Sequence, residues 1–237
     1  MFLLLALVVV FALNISFTQT PVKDGPSHTG RFQRDYSIYS LSLPDTLKFA
    51  GETVPVDYFD VREDLDRELL VNTYWQSHTL LLLKRANRYL PLMDSILRAE
   101  GVPTDFKYIP LIESELTNAV SPAGAVGLWQ FLRGTARDYG LTVNSQVDER
   151  YHVEKATKAA CEFFKESYRK FGSWTLAAAS FNYGRSALQR QMNRQGEDSY
   201  YNLILNSETA RYIYRVLALK LITNDPQAYG FHIRPRD

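Results

Sequence analysis

Two acidic residues, Glu113 and Glu115, stand at the end of an apolar run in the middle of the chain. A segment of small residues follows them and leads into the stretch GLWQF at 127–131. A carboxyl group in apolar surroundings keeps its proton to higher pH, because burial disfavours the charged form. Aromatic rings and amides offer flat faces and hydrogen bonds to a sugar ring. The combination predicts cleavage of a sugar bond, with Glu113 as the acid.

The second acid of the pair has a different interpretation. Glu115 lies two residues from Glu113, so on a helix the two side chains point in different directions. We therefore expect Glu115 to be a surface acid that is solvated or paired with a cation. No other acidic residue stands out from the sequence as a second catalytic carboxyl.

Two later segments carry further aromatic and amide groups. Residues 180–184 read Ser-Phe-Asn-Tyr-Gly and close an alanine-rich run, and residues 208–213 read Glu-Thr-Ala-Arg-Tyr-Ile. Small residues let two helices approach closely, and a glycine permits the turn that follows. We expect Asn182 and the rings beside it to point into a cavity shared with the acid.

The elements that must position these groups are predicted to be helices. From Val61 onward, apolar residues recur at helical spacing, and strand alternation is missing. Pro91 is expected to kink or split the second helix, and Thr104 or Asp105 to cap the helix that leads to Glu113. The predicted helices are 62–72, 77–99, the segment around 106–112, 133–139, 153–171, 173–182, 184–195 and 207–224.

The N-terminal part of the chain has a different character. Residues 1–20 contain an apolar run of about a dozen residues, which fits an export signal better than a membrane span of roughly 20. We predict an exported, periplasmic protein, and the sequence leaves open whether this segment is removed or retained as a membrane anchor. Residues 21–60 are predicted to be an extended linker with short strands near Ser37–Leu43 and Thr53–Tyr58. The catalytic domain is then 61–237.

Composition gives no sign of a nucleic acid or a metal as partner. The 27 Lys and Arg residues nearly balance the 26 Asp and Glu residues, so nothing indicates nucleic acid as the ligand. The four histidines include no pair at metal-ligand spacing, so we expect no metal and no other cofactor. The single cysteine, Cys161, cannot form an intramolecular disulfide and is interpreted as a buried structural thiol.

Four motifs occur in a recognisable order. They are Ile-Glu-Ser at 112–114, Ser-Pro-Ala-Gly-Ala-Val-Gly-Leu-Trp-Gln at 121–130, Phe-Asn-Tyr-Gly at 181–184, and Glu-Thr-x-x-Tyr at 208–212. Together they resemble the family 1 lytic transglycosylases, which include the soluble enzymes and the membrane-bound lytic transglycosylase D group. The likeness covers roughly 85–224. It implies a mostly α-helical domain with a goose-lysozyme-like fold and a substrate groove.

The resemblance also implies an activity and its residues. Glu113 matches the family's catalytic glutamate, which cuts the glycan strands of peptidoglycan without adding water and leaves 1,6-anhydromuramic acid ends. We expect such a protein to act as a monomer. The implied substrate-binding residues are Ser114, Trp129, Gln130, Phe181, Asn182, Tyr183, Glu208 and Tyr212.

Several alternatives stay open from the residues alone. The Ser114 hydroxyl could instead bond the backbone at a helix end, and Trp129 fits the core as well as a sugar platform. Phe181 departs from the family, which usually has tyrosine there, so one hydroxyl is missing. Two other functions remain: a lysozyme-type hydrolase on the same fold, and a glycan-binding module with weak or no turnover.

Overall fold

The computed structural model describes residues 38–234. Contacts divide the chain into two units, residues 1–40 and 41–237. Nearly all of the first unit, including the apolar segment predicted to direct export, lies outside the described residues. Among the helices of 38–234, none is both long and apolar enough to cross a membrane.

The described part of the second unit is mostly helical, as predicted. One antiparallel hairpin pairs β1 (Leu47–Phe49) with β2 (Glu52–Val54). Short 3₁₀ turns lie at Thr104–Tyr108, Glu149–Tyr151, Tyr200–Asn202 and Gln227–Tyr229. The α-helices of this part are α1 (Phe59–Tyr74), α2 (Gln76–Ala99), α3 (Ile109–Ser114), α4 (Arg133–Asp138), α5 (Val153–Phe171), α6 (Trp174–Tyr183), α7 (Arg185–Gln195) and α8 (Ser207–Asn224).

The hairpin lies between the two strand positions expected from the sequence. Residues 38–43 are not a strand, and only Thr53 and Val54 of the second expected segment are. The connection is the two-residue turn Ala50-Gly51, with φ of 52° and 86°. Positive φ at both turn residues is typical of a tight hairpin, and glycine adopts it without a steric penalty.

The helix that contains Pro91 is not split. α2 runs without interruption from Gln76 to Ala99, so the split that Pro91 could have caused does not occur. Leu90, Met93 and Leu97 are buried on one face around and beyond the proline. Their packing holds the second half of α2 in place, because tertiary contacts supply most of a helix's stability.

The central helix of the core is α8. It packs against α1, α3 and α6, and Ile213, Val216, Leu217 and Ile222 are fully buried along it. α5 packs in turn against α2 and α6, and its Cys161 is fully buried, as predicted. The start of α8 is therefore fixed relative to the end of α3.

The hairpin is fastened to the start of α6 by one carboxylate. Glu52 accepts hydrogen bonds from the backbone N–H groups of Trp174 (2.5 Å) and Thr175 (2.9 Å). It also accepts from the hydroxyl groups of Ser173 (2.9 Å) and Thr175 (2.6 Å). A negative charge at a helix N-terminus is favourable, because the unpaired N–H groups and the helix dipole both attract it.

We therefore expect Glu52→Ala to destabilise the protein. It removes the acceptor for four donors, and hydrogen bonds to a charged group contribute about 1.5–3 kcal/mol. The free energy of unfolding from urea titration should fall by roughly 2–3 kcal/mol. Thr53→Ala, at an exposed neighbour in the same strand, should change it little. Equal effects of the two substitutions would contradict this role of Glu52.

Candidate active site

A cleft of about 590 Å³ lies among the end of α3, the loop after it, the end of α6 and the start of α8. Its size is within the range usual for small-ligand sites. The cleft brings together residues that are far apart in the sequence. The expected site residues that line it are Glu113, Gln130, Phe181, Asn182, Tyr183, Glu208 and Tyr212.

Glu113 lies in the last turn of α3. The first two residues after the helix, Glu115 and Leu116, have φ of 53° and 55°, a left-handed conformation that non-glycine residues rarely adopt. Two such residues in succession end the helix abruptly and place Glu113 at the wall of the cleft. Backbone strain of this kind is often found at functional sites.

The segment before Glu113 differs from the predicted capped helix. A 3₁₀ turn, Thr104–Tyr108, precedes α3 and has no side-chain cap. The Asp105 carboxylate instead accepts hydrogen bonds from Ala50 N and Lys220 Nζ, both at 2.7 Å. Pro110 lies in the first turn of α3, where its missing N–H has no intrahelical partner to lose.

The environment of Glu113 favours its protonated form. Protein atoms surround the carboxyl, and this burial is the main cause that raises its pKa to about 7. A hydrogen bond donated by the Tyr212 hydroxyl to Glu113 Oε1, 2.6 Å long, acts in the opposite direction. The positive charge of Arg215 also lowers the pKa, and the negative charge of Glu208 raises it. The result is a group that can carry a proton at neutral pH and can also lose it.

This raised pKa has a measurable effect on stability. Between about pH 4.5 and 7 the folded protein holds a proton that the unfolded chain has released, so the stability contribution of Glu113 falls as pH rises. Glu113→Gln removes this dependence. Its unfolding free energy should exceed that of wild type by up to about 3 kcal/mol at pH 8 and by little at pH 4.5. A difference that does not change with pH would contradict the raised pKa.

Ser114 does not reach the cleft. Its side chain is buried, and its hydroxyl donates to the backbone oxygen of Leu128 at 2.8 Å and lies 3.2 Å from that of Pro110. The Ser114 hydroxyl thus bonds the backbone, which is the alternative that the sequence left open. The bond to Leu128 ties the end of α3 to the loop that forms the opposite part of the wall.

The loop before α4 is held by its own backbone and by Gln130. Gln130 has a φ of 51°, and its Nε2 donates to the backbone oxygens of Ala119 (3.0 Å) and Gly127 (2.8 Å). The side chain still lines the cleft. The N–H₂ end of Gln130 therefore fixes the shape of a loop at the wall of the cleft.

Trp129 lies beneath the cleft and not at its surface. The ring is fully buried, and its Nε1 donates to Thr157 Oγ1 at 2.9 Å. Of the two positions that the sequence allowed, Trp129 therefore has the core position: Thr157 of α5 accepts the indole N–H, and the ring fills the core. Trp129 meets Phe181 edge-on with 6.2 Å between ring centroids.

Phe181 connects the cleft to the aromatic core. Its ring lines the cleft and packs edge-on against Phe131 (5.5 Å) and Phe163 (5.1 Å). Aromatic pairs in this arrangement are favourable beyond their buried area. Phe181 is thus a packing residue of the cleft wall, without the hydroxyl that a tyrosine would add.

A polar network joins the end of α6 to the start of α8. Asn182 Nδ2 donates to Glu208 Oε1 at 3.0 Å, and Thr209 Oγ1 donates to Asn182 Oδ1 at 2.7 Å. The Asn182 amide orientation is consistent with both bonds. Tyr183 lines the same cleft, with its hydroxyl 3.4 Å from Gln191 Nε2. Asn182 and Glu208 are therefore held together as one polar group in the cleft.

Sequence reasoning missed Arg215. It lines the cleft, lowers the pKa of Glu113, and donates from Nη2 to the backbone oxygen of Ile112 at 3.3 Å. The sequence signal for Arg215 was its spacing from Tyr212, since residues 212 and 215 share one face of a helix.

The surface interpretation of Glu115 is confirmed: it is half exposed and lies 3.0 Å from His78 Nε2.

We expect Tyr212→Phe to shift the pH dependence of any reaction that needs protonated Glu113. Such a reaction should slow tenfold per pH unit above about pH 7. The Tyr212 hydroxyl bond stabilises the carboxylate, so its loss raises the pKa and moves this decline to higher pH. A pH–rate profile of kcat/KM tests this. An unchanged or lower midpoint would contradict the role of the Tyr212–Glu113 bond.

Comparisons with known proteins agree with the motifs. Residues 95–204 match the family model described as the Transglycosylase SLT domain. The chain is 28% identical over 183 residues to "Membrane-bound lytic murein transglycosylase D" of Escherichia coli (strain K12), a match that covers 75% of this chain and 40% of that protein. It is 29% identical over 122 residues to a "Putative tributyltin chloride resistance protein" of Alteromonas sp. (strain M-1), which covers 51% of this chain and 59% of that protein.

The matches cover only part of each relative and part of this chain. The chain spans less than two thirds of the length of either relative. Every expected site residue up to Tyr183 falls inside the family-model range, and Glu208 and Tyr212 lie beyond it. The matches confirm the resemblance that the ordered motifs indicated.

Proposed function

We propose that this chain, whose residues 95–204 match the Transglycosylase SLT domain, is a lytic transglycosylase that cleaves the glycan strands of peptidoglycan. The observation that supports this most is Glu113, a carboxyl with a pKa raised to about 7 at the wall of a 590 Å³ cleft. We further propose that the helical domain has the goose-lysozyme-like fold and acts as a monomer.

The first step of the proposed reaction is proton donation. Tyr212 holds Glu113 Oε1, so the transferable proton would sit on Oε2. Glu113 gives this proton to the oxygen that joins N-acetylmuramic acid to N-acetylglucosamine. The bond between that oxygen and C1 of the muramic acid breaks. The 2-acetamido group of the same sugar stabilises the positive charge that develops at C1.

The second step returns a proton to the same residue. Glu113 is now a carboxylate and takes the proton from the C6 hydroxyl of the muramic acid as O6 bonds to C1. A 1,6-anhydro ring results, and no water is consumed. An internal hydroxyl competes well with water because it is held beside the reacting carbon. One residue thus acts as acid and then as base.

The neighbours of Glu113 suit these two roles. Burial favours the protonated form before the first step, and the Tyr212 hydroxyl bond and the Arg215 charge stabilise the carboxylate that follows. The opposing effects leave the pKa near neutral, where proton transfer in both directions is efficient. A single carboxyl then suffices, whereas most glycosidases use two.

Product mass tests the proposal. Purified sacculi should be digested with the wild-type protein, and the released muropeptides should be analysed by mass spectrometry. A lytic transglycosylase leaves anhydro ends, each lighter than a reducing end by one water. Release of reducing ends alone would contradict the proposal and indicate a hydrolase. Absence of any release would indicate a binding module.

A lysozyme-type hydrolase is the second candidate, and Glu208 is the observation that favours it. This carboxyl lines the same cleft as Glu113 and accepts a hydrogen bond from Asn182. A hydrolase would use it to activate water or stabilise charge. In that case Glu208→Gln would abolish the release of reducing ends, while our proposal predicts anhydro ends from this variant at a reduced rate.

We place the proposed activity outside the cytoplasm, in the periplasm, where peptidoglycan strands are accessible. The apolar run at residues 2–13 supports export, and the Escherichia coli relative is named as membrane-bound. Membrane association through the N-terminus is part of this proposal. Cell fractionation tests it, and recovery of the protein in the cytoplasm would contradict it.

A further inference from the structure

A second cavity adjoins the cleft. It has a volume of about 410 Å³ and lies among α1, the junction of α1 with α2, and the start of α8. Ile112, Glu208 and Arg215 line both spaces. A polymer that passes Glu113 in this direction would therefore meet the second cavity next.

An exposed tryptophan stands at this cavity. Trp75 links α1 to α2, and 57% of its surface is exposed. Its ring stacks on His78, with centroids 4.0 Å apart and planes 11° from parallel. The exposed part of the ring adds little to the stability of the fold. Trp75 therefore does not have the burial of a core residue.

The stack of Trp75 on His78 lies beside Glu115. His78 Nε2 lies 3.0 Å from Glu115 Oε1, and Arg85 Nη1 donates to the backbone oxygen of Glu115 at 3.1 Å. His78 covers one face of the indole. A ring whose one face is already stacked loses less side-chain entropy when a ligand contacts its other face.

Polar groups line the same cavity as the ring. Asn72, Ser207 and Glu208 line the cavity with amide, hydroxyl and carboxylate groups. Its floor carries an ion pair in which Arg211 donates to both carboxylate oxygens of the buried Glu68, at 2.7 and 3.2 Å. A flat apolar face with donors and acceptors around it matches a pyranose ring, which is apolar on its faces and polar at its edge.

We propose that the second cavity binds a further N-acetylhexosamine ring of the glycan strand, which stacks on Trp75 while the bond to be cut lies at Glu113. This inference rests on the proposed function and extends it. Trp75 and the α1 residues lie outside the range 95–204 that matches the family model. The site would hold long strands in position across the catalytic cleft.

Substitution of Trp75 tests the contact during turnover. With peptide-free glycan strands, Trp75→Ala should raise KM three- to tenfold, as expected for the loss of one aromatic stack, and should change kcat little. Trp75→Phe should keep most of the affinity. Phe59→Ala is the matched control, because Phe59 is an exposed aromatic residue of α1 that does not line the cavity.

Two results of this assay would overturn the inference. One is a KM for Trp75→Ala equal to that of wild type. The other is a loss confined to strands that carry peptides, which would assign the cavity to the stem peptide.

A binding measurement separates this inference from the proposed function. The hexamer of N-acetylglucosamine is added to Glu113→Gln, and the three tryptophan indole N–H signals are followed by NMR. The Trp75 signal should shift, while those of the buried Trp129 and of Trp174 should not. If cell walls are cleaved but the Trp75 signal does not shift, the inference alone fails. If walls are not cleaved but Trp75 shifts, the sugar site stands and the proposed function fails.

Discussion

Glu113→Gln is expected to lower the turnover of peptidoglycan on the order of 10³-fold, the usual scale for loss of a general acid–base. An amide has nearly the shape of the carboxyl but can neither donate the proton in the first step nor accept it in the second. Its oxygen can still accept the Tyr212 hydroxyl bond. The fold and the affinity for glycan should therefore survive while the chemistry stops.

The control for this substitution is another acid to amide change. Glu63 is an exposed acid of α1, and Glu63→Gln should keep full activity. Anhydro-muropeptide release gives the rate, and thermal unfolding confirms that each variant is folded. Retention of more than about a tenth of the activity by Glu113→Gln would contradict the one-carboxyl scheme.

Gly127→Ala should have the largest effect on stability. A Cβ at this position would lie 2.2 Å from the backbone oxygen of Arg150, and Gly127 has a φ of +77°. Arg150 cannot move away easily, because its buried guanidinium donates to the backbone oxygens of Gly124 (2.9 Å) and Phe131 (3.0 Å). We expect a loss of about 3–5 kcal/mol or failure to fold.

Gly124→Ala separates the clash from the backbone conformation. Gly124 has nearly the same φ, +78°, but no other atom lies within 4 Å of the position that a Cβ would take there. Only the cost of a left-handed alanine remains, about 1–2 kcal/mol. Urea unfolding of the two variants gives the comparison. Equal losses would show that the contact with Arg150 is not tight.

The helices were predicted well because their apolar spacing is long and regular. The segment 153–171 matches α5 at both ends, since apolar residues mark its buried face and Gly172 ends it with a φ of 68°. The hairpin was misplaced because each strand has only three residues. Alternation over three residues is too short to locate a strand, and the Ala50-Gly51 turn was the signal to use.

The site was predicted in part. Glu113 and Tyr212 are 99 residues apart in sequence, so their hydrogen bond could not be read from spacing. The order of the motifs indicated that both belong to one cleft, and the structure gives the contact. Ser114 and Trp129 were assigned to substrate because a motif does not tell which side of a wall a residue faces. In the structure their side chains are buried and donate hydrogen bonds to Leu128 and Thr157, on the protein side of the wall.

The central claim is that the Glu113 carboxyl holds a proton near neutral pH, and a direct titration of this group tests it. Side-chain carboxyl carbons of glutamate are labelled with ¹³C, and their NMR signals are followed against pH in wild type and in Glu113→Gln. The signal absent from the variant belongs to Glu113. We predict that it titrates with a midpoint of about 7. A midpoint near the ordinary value of 4.5 would contradict the account.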